Sequence, residues 1–363
     1  MKLRRIVEIV ATVALVELTL LPQTALASEI FEYHTGTRQM GMGGAYVAVV
    51  NDETALLSNP AGLGKLRDLM FTVVDPEVSG SFNDSQIALT NLTKAFDTQG
   101  LLELLNNNKG LHWHSKAQVF PSFVGPNFGF GVLAKISNDA EVNSAGTNFR
   151  LDYTKDVSAN LAYCFRFFDG VVKLGLAGRL VNRTEVGKDL DPTSTNLSIS
   201  SLSSEGVGLA GDGGLIITAP VALLPTIAVT VRDIGNTSYT MREGVFNATV
   251  DRPQTTPQSV DAAFALFPIL SNHARLTFTG EIHDVTTLSQ EKDIMRRVHA
   301  GLEVNMADFF FLRGGMNQRY WTAGLELASE RFQLQGATYG EEIGTDTAPR
   351  EDRRFDAKFA IRF

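Results

Sequence analysis

The chain of 363 residues has a single cysteine, Cys164, so no intrachain disulfide can staple it. Beyond the N-terminal leader, no stretch approaches the roughly 18 consecutive apolar residues that a membrane-crossing helix needs. Positive charge is in deficit: Lys and Arg total 32 against 40 Asp and Glu, a formal net charge of -8, which argues against a nucleic-acid partner. Local catalytic chemistry is missing too. The chain contains no nucleophile elbow, P-loop or dinucleotide fingerprint, so neither an enzymatic activity nor a cofactor is expected. His112 and His114 share a strand face at a spacing that two imidazoles could use to hold a metal. No carboxylate or cysteine adjoins them in sequence, and polar contacts account for them without a metal.

What is present begins with an address. Lys2, Arg4 and Arg5 precede an apolar run from Ile6 to Leu21, and Ala25-Leu-Ala27 supplies an A-x-A cleavage site before Ser28. Residues 1–27 therefore read as a secretory signal, interrupted by Glu8 and Glu17. No cysteine follows the cleavage site, so no lipid anchor is expected there.

From Leu66 onward the dominant signal is a period of two. Phe149, Leu151, Tyr153, Val157, Ala159, Leu161, Tyr163, Phe165 and Phe167 share one face, with Lys155 the one intruder. Arg150, Asp152, Thr154, Asp156, Ser158, Asn160 and Arg166 share the other. Similar runs fall at 68–78, 112–124, 127–137, 171–184, 206–218, 224–235, 258–267, 273–284, 295–305, 309–316, 319–328, 331–340 and 354–363, which with 148–167 makes roughly fourteen strands. The links alternate: those after even-numbered strands are short, and those after odd-numbered strands are mostly long. A soluble sandwich also alternates apolar and polar residues. The leader, the loop parity, the aromatic last strand and the lack of sheet-covering helices together favour an all-β, transmembrane antiparallel β-barrel of the outer membrane of a Gram-negative-type bacterium, with residues 67–363 as the barrel. Its expected surroundings are outer-membrane lipid and the barrel assembly machinery. Phe359, Ile361 and Phe363 end the last strand as that machinery's expected assembly signal.

Residues 28–66 break the pattern. Gly41, Gly43 and Gly44 allow close backbone approach, Asn59-Pro60 marks a turn, and no face is continuously apolar, so this stretch reads as a hatch inside the barrel. Its Arg38-Gln-Met-Gly-Met-Gly-Gly-Ala-Tyr-Val-Ala48 followed by Asn59-Pro-Ala-Gly-Leu63 resembles the long-chain fatty-acid transporter (FadL) superfamily, and within it the PorV and TraF-like branch. The likeness continues at His299-Ala-Gly-Leu-Glu303, Leu312-Arg-Gly-Gly315, Tyr320 to Leu325 and the Phe-terminated end. The resemblance implies a fourteen-stranded barrel plugged by the hatch, with Arg38, Gly41, Met42, Gly43, Gly44, Asp52, Asn59, Pro60 and Ala61 as hatch residues. It further implies either uptake of a fatty-acid-like molecule that leaves sideways through a kinked strand, or a scaffold or shuttle role beside secretion-system proteins.

Three finer expectations follow. Arg150, Asp152, Asp156, Arg166, Lys173, Arg179, Arg232, Glu281, His283, Arg297, Glu303, Glu326 and Arg362 fall on inner faces, because a lipid-facing Arg or Lys near the midplane would cost roughly 2–4 kcal/mol. If Arg38, Asp52 and Glu53 pair with that wall, the hatch is a fixed plug; if they do not, it moves. Pro121, Gly125, Pro126, Gly129 and Gly131 mark a kink or bulge for lateral exit, or alternatively a strained edge beside a short turn. In the first long loop, Leu92 and Phe96, then Leu101, Leu102 and Leu105, recur at helical spacing; they serve as a lid packed on the rim or as a greasy capture surface.

Overall fold

The computed structural model describes residues 32–81, 98–194, 197–247, 249–271, 273–290, 293–345 and 348–363. The leader, residues 28–31, Leu92 and Phe96 lie outside them. Alternation does what the sequence requires: one closed antiparallel sheet surrounds a filled lumen, with each strand paired to its neighbours in the chain and the last paired to the first. Fourteen spans make the wall. β1 is Met70–Val74 and Glu77–Ser81, β2 is His112–Val119 and Ser122–Gly125, β3 is Phe128–Val142, β4 is Phe149–Phe167 and β5 is Val172–Leu190. β6 is Ser204–Thr218, β7 is Thr226–Arg232, β8 is Ser259–Leu266 continued by Ile269–Ser271, and β9 is Ala274–Ile282. β10 is Val298–Met306, β11 Phe310–Asn317, β12 Tyr320–Ala328, β13 Phe332–Glu342 and β14 Glu351–Arg362.

The outward face carries exposed Phe71, Phe123, Phe130, Leu161, Phe165, Leu176, Ile227, Phe278, Trp321, Leu334 and Phe359, an apolar belt that lipid would cover. Closure is completed at the chain's end. Phe363 and Phe71 exchange backbone hydrogen bonds of 2.9 and 2.8 Å across the β14–β1 seam.

The wall is uneven. β4 and β5 have 19 residues each, whereas β9, β10 and β12 have 9. At about 3.3 Å per residue, 19 residues run ~60 Å, well beyond an apolar band about 25 Å tall. The projecting apolar positions therefore need protein cover. Helix α2, Thr98–Asn107, supplies it: Leu101, Leu102 and Leu105 are fully buried with Trp113, Ala140, Val142, Phe149, Leu151 and Val186 on the outward side of β2–β5. These three leucines thus face the projecting wall and not open solvent. A second cover explains the odd lysine of β4. The Lys155 ammonium lies 3.8 Å from the centre of the Phe246 ring in the loop between β7 and β8. That loop also places Arg242–Glu243 beside Val207 and Gly206 of β6, beyond the end of β7.

Candidate functional site: the hatch in the lumen

The hatch is helical turns, not strand. Short helix α1, Thr37–Gly41, is followed by two left-handed residues, Gly43 (φ 68°) and Gly44 (φ 81°). A Cβ on Gly43 would lie 2.3 Å from the Ala300 carbonyl oxygen of β10, so only glycine passes the wall here. The wall is equally bare opposite it: a Cβ on Gly301 would meet the Met42 carbonyl at 2.3 Å, and one on Gly315 would meet the hatch backbone. Further on, Asp52 caps the 3-10 turn Glu53–Leu56 and Asn59 caps the turn Pro60–Lys65, each accepting from a backbone amide two residues ahead. Proline at the first position of the second turn gives up a donor that would have no partner anyway. The Asn59-Pro60-Ala61 tip enters a socket of small residues on β5 and β6. Added Cβ atoms on Gly175 and Gly214 would come within 2.2 Å of the Ala61 amide nitrogen and 1.9 Å of Asn59 Oδ1.

Charge ties this segment to the barrel. Arg38 donates twice to Glu303 at 3.1 Å and once to Asp52 at 2.9 Å. Glu53, wholly buried, accepts from Lys358 at 3.1 Å and from Arg362 at 2.8 Å. The Tyr46 and Val47 amides both donate to Glu281, at 2.7 and 2.8 Å. Glu32 sits 2.8 Å from His283 Nδ1, Thr37 donates to Asp356 at 2.6 Å, and Lys135 and Lys116 reach the Tyr33 and Thr35 carbonyls. So Arg38 and Glu53 pair with the wall, while Asp52 pairs within the hatch, with Arg38, Tyr46 and Thr54. Burial alone would raise the Glu53 and Asp52 carboxyls. The Arg362 and Lys358 charges overcome this for Glu53, and Arg38 with the Thr54 and Tyr46 hydroxyls does so for Asp52; both are held below the ordinary range. His34 is driven the other way, well below its usual value, by burial and by Lys116, Lys358 and Lys135.

Beside α1 this packing leaves little space. The space between α1, β1 and β14, lined by His34, Glu53, Glu77, Lys358 and Arg362, amounts to about 10 Å³, room for one water at most. A larger chamber of about 960 Å³ opens below the hatch on the side of the short turns, between Lys65, Arg166, Lys173, Leu224, Phe267 and Arg275.

No family model matches the sequence, and no curated protein does. Solved structures match over nearly their whole length. A CymD monoaromatic hydrocarbon channel superposes with a TM-score of 0.52 at 11% identity, covering 93% of this chain and 98% of that one. The Pseudomonas putida toluene transporter TodX does so with a TM-score of 0.51 at 9% identity, covering 92% and 99%. The chain has the FadL-type barrel fold. At these identities the likeness concerns the fold alone.

Within this FadL-type barrel, Asp156, Lys173, Arg179, Arg232, Glu281, His283, Glu303 and Glu326 are buried toward the lumen. Arg150 and Asp152 pair with each other nearer the rim, half exposed, and Arg166 is exposed at the turn side. His112 and His114 lie beside Asp139, Glu141 and Asp352, carboxylates distant in sequence that periodicity could not bring together; among the described residues this cluster forms no metal site. The kink expected from Pro121 to Gly131 needs correction. Pro121 does sit at a break, but β2 keeps its register with β3 across it, and Gly129 and Gly131 lie in an unbroken β3. Those two glycines make room instead, Gly129 for Leu56 of the hatch and Gly131 for the Phe120 ring. Gly125 and Pro126 belong to the turn before β3. The irregularity lies on the other side of β2. β1 is interrupted at Asp75-Pro76, next to the β2 interruption at Phe120-Pro121, and the β1–β2 register changes by one residue between the two halves. There the Asp75 carboxylate accepts from the Phe120 amide at 2.5 Å. Proline pairs in adjacent strands were visible in the sequence; that they lie side by side was not.

Proposed function

We propose that this barrel admits small hydrophobic molecules from outside the outer membrane and releases them sideways through the β1–β2 seam, the hatch acting as a fixed plug. The observation that carries this reading is the coincidence of two facts. Residues 32–66 are largely buried and are tied to the wall through Arg38–Glu303 and Glu53–Lys358–Arg362. The wall, meanwhile, has adjacent breaks in two neighbouring strands, where one side-chain carboxylate stands in for the regular ladder. The two prolines belong to the flanking ladders, Pro76 accepting from the Phe359 amide of β14 and Pro121 from the Val132 amide of β3, so what the β1–β2 seam lacks at the breaks is continuous register, with the Asp75–Phe120 contact in its place. The hydrocarbon-transporting neighbours lend support to the cargo class.

The test is uptake of toluene and of a fluorescent fatty acid by cells carrying wild-type protein or the Asp75→Ala variant, which removes the carboxylate contact across the two breaks. Lateral release expects faster uptake by the variant at equal surface amounts. Uptake unchanged in the variant removes the lateral route, and no uptake above protein-free cells removes transport of these cargoes altogether.

A further inference from the structure

The chamber below the hatch has a charge opposite to that of the chain. In a protein with net charge -8, its walls present Arg38, Lys65, Arg67, Arg166, Lys173 and Arg275 against Asp68 and Glu303. Glu303 is already taken by Arg38 and Arg313, and Arg275 faces Asp308 at 3.7 Å in the open. Lys65, Lys173 and Arg166 have no carboxylate in ion-pair reach among the described residues. Their neighbours are carbonyl oxygens, Ala48 at 2.6 Å for Lys65 and Gly170 for Lys173. They are also crowded together: the Lys173 methylenes pack on Gly64, next to Lys65. Burial, then Lys173 and Arg38, pushes the Lys65 ammonium down to about 7. Asp52 opposes this crowding from a distance, and a ligand that brought an anionic group into contact would relieve the rest. Apolar surface from Leu66, Met70, Leu224, Phe267 and Ile269 lines the same chamber, whose volume falls within the roughly 300–1,000 Å³ of small-molecule sites.

We propose that this chamber is a binding site for a small anionic amphiphile, its carboxylate or phosphate head among Lys65, Lys173 and Arg166 and its chain along Leu66, Phe267 and Leu224. The site lies at the turn-side mouth, away from the breaks at Asp75-Pro76 and Phe120-Pro121, and does not depend on lateral release. Because Lys65 also holds the Ala48 carbonyl, a bound head group would share its ammonium with the hatch.

Octanoate, octyl phosphate and octanol are titrated against the full-length protein in nanodiscs of neutral phosphatidylcholine, with protein-free nanodiscs as the blank. A charge-assisted head-group contact predicts that one or both anions bind at least about tenfold tighter than octanol. Whichever anion binds tighter identifies the head group. Lys65→Gln with Lys173→Gln should bring anion affinity down to that of octanol and leave octanol unchanged. Should that variant fail to fold, added salt on the wild type gives the same reading, weakening the anions and not octanol. Equal binding of all three probes, or anion binding that survives in the folded double variant or is indifferent to salt, overturns the proposal. Failure of toluene uptake would leave this result standing.

Discussion

Replacing Glu53 by glutamine tests whether charge holds the hatch. The side chain is fully buried and keeps its size in the variant, so no cavity opens; only the negative charge between Lys358 and Arg362 is lost. Breaking a buried ion pair costs about 3–5 kcal/mol, largely because the stranded charge stays buried. The low end applies, since Lys358 still has Asp75 at 3.5 Å and the Arg362 side chain is partly exposed. About 3 kcal/mol corresponds to roughly a hundredfold shift in the equilibrium for hatch release. The chain carries its own reporter. Cys164, the single thiol, is 1% exposed on the inner face of β4, with its sulfur 3.5 Å from the Ala61 carbonyl and a position 2.8 Å from where Gly64 would carry a Cβ. A thiol reagent can reach it only after the Pro60–Lys65 turn has moved. At constant pH the labelling rate of the Glu53→Gln variant should rise by about two orders of magnitude while heat-modifiable migration of the barrel stays unchanged. A labelling rate within a factor of three of wild type would refute the electrostatic tether.

The same thiol reads other changes. Gly214→Ala, whose Cβ would overlap Asn59 Oδ1, should expel the Asn59-Pro60-Ala61 tip and expose Cys164 in a correctly migrating barrel; slow, wild-type labelling would show that the socket tolerates a methyl group. Acid should loosen the front of the hatch. Burial would raise the Glu32 carboxyl, but the nearby His283 charge prevails and lowers it from 4.5 to about 2. A depressed carboxyl contributes stability that is fully present above pH 4.5 and lost as pH falls toward 2, so amide exchange over residues 33–36, corrected for intrinsic rate, should accelerate between those limits in wild type and show no such step in Glu32→Gln. Deleting Phe363 removes both backbone hydrogen bonds to Phe71 at the closing seam together with the terminal aromatic proposed as an assembly signal. Reduced insertion is expected, and unchanged heat-modifiable migration from outer membranes would contradict it.

The wall was legible because its periodicity is dictated by two solvents: a one-residue slip in β4 would put Asp156 and Asn160 into lipid, so the alternation from Phe149 to Phe167 could be read directly. The hatch was legible by contrast, as the stretch where that alternation fails. What periodicity could not deliver was anything set by strands meeting far apart in the chain. Periodicity gives no reason for glycine at 175, 214 and 301; the hatch lying against each of them explains the missing side chains. Likewise, the apolar residues at the outer end of β4 were assigned to lipid with the rest of their face, although Phe149 and Leu151 lie under α2, because a strand's pattern does not say where the membrane stops.

The two kinds of hatch contact do different work, and their distribution bears on the route. Glycine sockets on β5, β6, β10 and β11 exclude rotation of the segment by shape, and they grip it around half the circumference. The charged ties to Lys358 and Arg362 lie on β14, next to β1, whose Asp75 carboxylate shares Lys358 with Glu53. The carboxylate that closes the β1–β2 seam and the one that tethers the hatch therefore draw on the same ammonium. Asp75 meets the Phe120 amide with one carboxylate oxygen and Lys358 with the other, so losing Phe120 leaves it beside Lys358, still competing with Glu53 for that ammonium. The seam and the hatch are thereby coupled through Lys358: Asp75→Ala, which leaves that ammonium to Glu53, should slow Cys164 labelling, and labelling at the wild-type rate would show that the two are independent.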